Sequence, residues 1–160
     1  MSFSKVSFEE FSKHFDSEEA AREAYERITL PRRADKGSAG YDFYTPVSVD
    51  IIPGSPVVIP TGIRCQMNEH YFLMCVPRSG LGFKKGLRLR NTVGIIDSSY
   101  FYADNEGHIM ACLDTDEPVF LSAGDRFMQG IFILYGITKS DCPVSEGRSG
   151  GIGSTGGFTS

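Results

Sequence analysis

From Ala39 onward the chain breaks into short runs of β-type residues, and no stretch between them carries the three-to-four-residue apolar period of an amphipathic helix. The runs are Val47–Ile52, Pro56–Ile59, Gly62–Met67, Tyr71–Val76, Leu87–Asn91, Gly94–Ile96, His108–Leu113, Pro118–Leu121 and Phe127–Tyr135, most of them divided by Gly, Pro, Asn or Asp. Many short strands at roughly 8–12-residue spacing predict an all-β domain: a sandwich, a jelly roll or a barrel. No internal repeat is evident.

The two ends differ from this middle. Residues 1–30 are rich in Glu, Lys and Ala, with Phe8, Phe11 and Phe15 at helical spacing. Ser7-Phe8-Glu9-Glu10 and Asp16-Ser17-Glu18-Glu19 have the form of capping boxes, which predicts two short helices or one broken near Asp16. The Phe stripe reads as a docking face. Pro31 to Ser38 is a polar link, and Glu146 to Phe158 is dominated by glycine. The expected division is a helical extension over 1–30, a β domain over 31–145 and a flexible glycine-rich arm over 146–160.

Composition narrows the function. A chain of 160 residues with 41% hydrophobic and 22% charged residues fits one soluble domain with a real core. A net charge of −4 and a pI near 5.4 argue against a nucleic-acid surface, so an anionic ligand has to be held by local arginines. Cys65, Cys75, Cys112 and Cys142 have no C-x-x-C spacing and follow no secretory signal, which predicts reduced thiols and a cytoplasmic location. No apolar run approaches the roughly 18 residues of a membrane helix.

Four segments carry chemistry. Arg90 to Tyr100 places Asn91, Gly94, Asp97 and Tyr100 around strand edges and a turn, which predicts a hairpin pocket. There Asp97 is either a general base for water or a turn cap, and Tyr100 is either a flat wall for a ligand or a packing residue. Val76 to Gly86 joins Arg78 and Ser79 to glycines from Gly80 on, and reads as a phosphate seat or a solvated glycine-rich hairpin. Gly124 to Gln129 opens a strand on which Gln129 points to one face and Arg126 seeks a carboxylate. The arm holds Arg148, Ser149, Ser154 and Thr155 among glycines, the parts of a phosphate-cradling loop, though not a Walker A motif, since no Lys stands before Ser154.

Taken together, these segments resemble the trimeric dUTPase (dUTP diphosphatase) family, whose five motifs are matched in order. They are Ser38-Ala39-Gly40-Tyr41-Asp42-Phe43, Pro77-Arg78-Ser79-Gly80-Leu81-Gly82, Asn91 to Tyr100, Gly124-Asp125-Arg126-Phe127-Met128-Gln129, and Arg148 to Gly156. The resemblance spans Pro31 to Gly156. It implies a jelly-roll subunit, a homotrimer whose sites are shared between chains, and hydrolysis of dUTP to dUMP and pyrophosphate with Mg²⁺ on the triphosphate. It implies that Asp97 activates water, that Asn91, Gly94, Ile95 and Ile96 read the uracil edge, and that Tyr100 lies against the deoxyribose with Met110 nearby. Arg78, Ser79, Gly80, Gln129, Arg148, Gly153 and Ser154 would take the phosphates. Asp42 would be at most an outer-shell partner of the metal or a turn-fixing residue.

Two departures stand out. Phe101 to Glu106 separates Tyr100 from Gly107 where relatives usually have one residue, and Ile152 stands where they usually have a Phe that stacks on the base. Two rival readings remain. A dCTP deaminase shares the fold but needs a Glu where His108 to Leu113 holds no carboxylate, and a regulatory nucleotide-binding jelly roll would use the helices to recruit a partner.

Overall fold

The structure, a computed structural model, describes residues 1–143. Its elements are β1 (Ser2–Lys5), α1 (Phe8–Ser12), α2 (Glu18–Arg27), β2 (Arg32–Arg33), β3 (Tyr41–Tyr44), β4 (Val49–Ile51), β5 (Val57–Gln66), β6 (Tyr71–Pro77), α3 (Ser79–Lys85), β7 (Arg88–Leu89), β8 (Gly94–Asp97), a 3₁₀ helix (Ser98–Tyr102), β9 (Ile109–Asp114), β10 (Val119–Leu121) and β11 (Arg126–Leu134). They form a four-stranded sheet ordered β1-β5-β9-β7, a five-stranded sheet ordered β2-β3-β11-β6-β8, and the pair β10-β4.

The period-2 alternation decides which side chains fill the space between the sheets. Ile109, Ala111 and Leu113 of β9 are buried while Met110, Cys112 and Asp114 are half-buried. On β11 both Phe127 and Met128 are buried because the register shifts between Arg126 and Met128, which turns two successive residues inward. The runs Pro56–Ile59 and Gly62–Met67 prove to be one strand, β5, with a bulge between Pro60 and Ile63 in its pairing with β9.

Two helices form in residues 1–30 as the pattern predicts, each capped by a serine. Ser7 Oγ accepts from Glu10 N–H, and Ser17 Oγ, one place after the expected Asp16, accepts from Ala20 N–H. Ser2–Lys5 differs from the helical expectation: it is a strand that extends the four-stranded sheet against Ile63–Gln66. Its side chains alternate in exposure, and Phe3 packs on the rings of Tyr41, Phe43 and Phe132. The expected docking stripe is largely consumed within the chain, since Phe11 is fully buried and stacks on Phe15 and Tyr25.

The extension meets the β5 bulge at Gly62. This residue has φ +69°, and a Cβ there would lie 2.3 Å from Ile28 Cδ1, so only glycine accepts both the backbone and the neighbour. Gly62 N–H donates to Nε2 of the fully buried His108 at 2.9 Å. Burial, then the adjacent His14, push the His108 imidazole down to about 4, against the pull of Glu10 and Glu106. The unfolded chain, with an ordinary histidine near 6.5, therefore takes up a proton that the folded chain refuses between those two values. This contribution to stability is complete above the unfolded value and is lost as pH falls through the folded one. Thermal midpoints measured between pH 7 and pH 4 are expected to drop, with a shallower fall in that window for His108→Gln.

Candidate active site

Strand β3 alternates Asp42 and Phe43, so Phe43 enters the core while Asp42 lies on the opposite, outer face of the five-stranded sheet. Cross-strand pairing puts Arg32, Gln129 and Val76 level with Asp42 on that face. Asp42 is itself buried, and its two oxygens are committed to two guanidiniums: Arg78 Nε lies 3.2 Å from Oδ1, and Arg126 Nη1 donates to Oδ2 at 3.0 Å. The Arg126 contact is a charge-assisted hydrogen bond and the Arg78 contact an ion pair; together they offset the cost of burying the carboxylate and hold the two arginines side by side. Asp42 is thus an arginine anchor rather than the turn-fixing residue that its position suggested. Arg32 and Arg33 line the same hollow with Tyr44. Arg32, Arg33, Arg126 and Arg78, set against Asp42 and against Asp35 beside Arg33, leave this end of the face cationic in a chain that is acidic overall.

Arg78 also precedes α3. The segment predicted as a glycine-rich hairpin is instead a short helix, Ser79–Lys85, closed by Gly86 in the left-handed region at φ 64°. Ser79 and Gly80 occupy its exposed first turn, where backbone N–H groups point outward along the axis. Gly40 of the first motif abuts Gln129 of the fourth: a Cβ at position 40 would lie 2.3 Å from Gln129 Oε1. Because the obstructing atom ends a flexible side chain, Gly40→Ala is expected to displace Gln129 with little change in Tm and to raise KM for a nucleotide severalfold. Steady-state kinetics beside a melting curve check both halves.

The predicted hairpin around Asp97 does not form. Leu89 pairs with Leu113 in the four-stranded sheet, whereas Gly94–Asp97 pairs with Phe72–Cys75 in the five-stranded one. The chain crosses between sheets at Asn91–Val93, a tight turn with Thr92 at φ 69° and a Val93 N–H to Asn91 O bond of 2.8 Å. Asn91 is exposed at this crossing. On β8, Gly94 and Ile96 face the side of Cys75 and Leu73, while Ile95 and Asp97 share the outer face with Met74 and Phe72. Met110 lies in the other sheet, paired with Pro60, and is not brought to that face.

Asp97 is exposed at the N-cap position of the 3₁₀ helix, yet its side chain makes no capping hydrogen bond. Tyr100, three residues on, is buried; its hydroxyl donates to His108 O at 2.8 Å and accepts from Asn105 Nδ2 at 2.7 Å. The hydroxyl of Tyr100 is thus committed within the chain. Asp97 and Gln129 share the outer face but are not neighbours. Asp97 is level with Phe72 and Gln129 with Val76, four residues or roughly 13 Å along the strand and two strands or roughly 10 Å across. Arg148, Ile152, Gly153 and Ser154 lie outside the described residues.

Among the described residues no cluster of carboxylates surrounds Asp42 or Asp97. The group that brings three potential metal ligands together is Glu10, His14 and His108, at the extension. Asp42, with one oxygen on each of two guanidiniums, is not built as a direct ligand of a cation.

The dUTPase family model matches residues 26–156. The chain belongs to the dUTPase family. It is accordingly a nucleotide hydrolase with a jelly-roll-like β subunit. The deoxyuridine 5'-triphosphate nucleotidohydrolase of Lactococcus lactis is 40% identical over 133 residues, covering 81% of this chain and 89% of the relative. That of Mycolicibacterium gilvum is 34% identical over 146 residues, covering 83% and 91%. The crystal structure of the Streptococcus mutans dUTPase superposes with a TM-score of 0.68 at 33% identity, over 87% of this chain and 99% of that one. A dUTPase of phage phi11 of S. aureus, described with a structural Mg(II) ion, shares the fold at 21% identity with a TM-score of 0.63, over 76% of this chain and 92% of that one.

The residues that sequence reading missed are Arg32 and Arg33, read as part of a polar link, and the anchoring role of Asp42. Alternation of Asp42 with buried Phe43 was the available signal for the second.

Proposed function

We propose that the chain hydrolyses dUTP to dUMP and pyrophosphate, with water attacking the α-phosphorus while Asp97 takes its proton. The new bond joins the water oxygen to phosphorus, the bond to the bridging oxygen breaks, and pyrophosphate leaves with that electron pair. Family membership supplies the substrate class. The observation that carries the mechanism is the division of one outer sheet face into a cationic end, Arg78, Arg126 and Gln129 around Asp42, and a carboxylate end, Asp97.

That separation also bears on assembly. A side chain at Gln129 cannot share a triphosphate with Asp97 across roughly 16 Å, the distance given by the two offsets. The reading that reconciles the two ends is a homotrimer, in which the cationic end of one subunit faces the carboxylate end of the next, with Arg148, Ile152, Gly153 and Ser154 of the arm completing the site. In it, Asn91 and the backbone of Gly94 to Ile96 read the uracil edge, and the Tyr100 ring walls off the 2′-carbon. The arginines, Ser79, Gly80 and Gln129 stabilise the charge developing on the phosphates. No side chain of this face would need to hold magnesium directly; an ion carried on the triphosphate would neutralise part of the phosphate charge that the arginines also meet. The four free cysteines accord with a reducing cytoplasm.

Pyrophosphate release measured across dUTP, dCTP, dTTP and UTP tests this. A clear preference for dUTP is expected. Ammonia released from dCTP, or no turnover of any of the four, overturns it.

A further inference from the structure

The extension and the segment that follows Tyr100 are tied by a set of contacts that the proposed chemistry does not use. Glu106 Oε2 accepts Ser7 N–H at 2.8 Å and Glu106 Oε1 accepts the Ser7 hydroxyl at 2.5 Å, while that same Ser7 caps α1. In a capping box the helix's own third residue returns to the cap; here a residue 99 positions away does so. Glu10, the expected partner, instead pairs with Lys13 at 2.8 Å.

Glu106 is held in an unfavourable backbone state, φ 57°, which a glutamate adopts only when its surroundings fix it. Arg64 closes the other side: it stacks on the Phe101 ring at 3.7 Å, donates to Phe101 O at 2.8 Å and lies 3.6 Å from Glu106. Gly107 then packs on the backbone of the 3₁₀ helix so tightly that a Cβ would lie 2.7 Å from Tyr100 O. Asn105, just before Glu106, holds the Tyr100 hydroxyl.

Glu10, His14 and His108 lie close enough to suggest a metal site. His108 Nε2, however, accepts from Gly62 N–H, so the neutral ring carries its proton on Nδ1, which lies 3.6 Å from Glu10 Oε1 without a hydrogen bond and offers no lone pair to a metal.

We infer that residues 2–27 brace the site from within the chain, and that Glu106, fastened by Ser7, is a positioning residue that sets Tyr100 and through it the enzyme's preference for a 2′-deoxy sugar. This rests on the proposed dUTP hydrolysis. The path runs from Ser7 to Glu106, through Asn105 and Gly107 to Tyr100, and on to Asp97 three residues away. Loss of the clamp lets the left-handed turn at Glu106 relax, which frees the Tyr100 ring to move.

The test compares kcat and KM for dUTP and for UTP in the parent chain, Ser7→Ala, Ser7→Thr and Glu106→Gln, each assayed well below its own melting temperature. Ser7→Ala and Glu106→Gln are expected to lower kcat/KM for dUTP about tenfold or more, as small misplacements near a reacting centre do, while UTP loses less, so that the dUTP-to-UTP ratio falls. Ser7→Thr keeps the hydroxyl and should restore the ratio. Equal loss on both substrates, or parent-like ratios in both disrupted variants, overturns the brace. Failure of the parent itself to hydrolyse dUTP overturns the functional reading instead.

Discussion

Asp97→Asn is expected to bind dUTP almost as the parent does and to turn it over about 10²–10⁴-fold more slowly, the usual contribution of a general base. The amide keeps the size of the carboxylate but cannot accept the proton of the attacking water. Asp97 is exposed at the end of β8 and the amide is its near isostere, so a melting curve beside the kinetics checks that the fold is kept. Equilibrium binding of a non-hydrolysable dUTP analogue, measured beside single-turnover rates, separates the two effects. Parent-like turnover in the folded variant removes Asp97 from the chemistry.

Mixing two inactive chains should restore activity. Arg78→Ala disables the cationic end and Asp97→Asn the carboxylate end of the same sheet face. If every site takes its two ends from different subunits of a three-fold ring, random trimers from an equal mixture have both ends intact at about a quarter of their sites, so recovery towards a quarter of the parent rate is expected after subunit exchange. Either variant alone stays near its own floor. No recovery in verified mixed trimers would place both ends of each site on one chain.

Much of this is legible in the sequence. The strand runs were readable because half-buried strands alternate, and the helices of residues 1–30 because Ser7 and Ser17 cap them. What escaped depended on partners distant in sequence. Ser2–Lys5 carries no strong local preference and is a strand because the edge of β5 is there to receive it. Arg90 to Tyr100 looked like a hairpin because strand, turn and strand were adjacent; which sheet each strand joins is set by Phe72–Cys75 and Leu113, far along the chain. The glycines after Arg78 suggested a loop, but Leu81 and the left-handed Gly86 complete a helical turn instead. Asp42 could be placed on a face from alternation alone, whereas its grip on Arg126 across 84 residues could not.

The strand order of the larger sheet bears on how such a chain is made. Strand β11, the last in sequence among the described residues, occupies the middle of that sheet, between β3 and β6. Until residues 126–134 have left the ribosome, β3 and β6 have no partner on their facing edges, and Asp42 has no Arg126. The nascent chain must carry these open edges for most of its synthesis, the condition under which edge-to-edge pairing with another copy competes with folding. Closure therefore comes as a late, long-range event that joins core and phosphate seat in one step. A chain stopped short of residue 126 should give aggregates rather than a smaller folded domain.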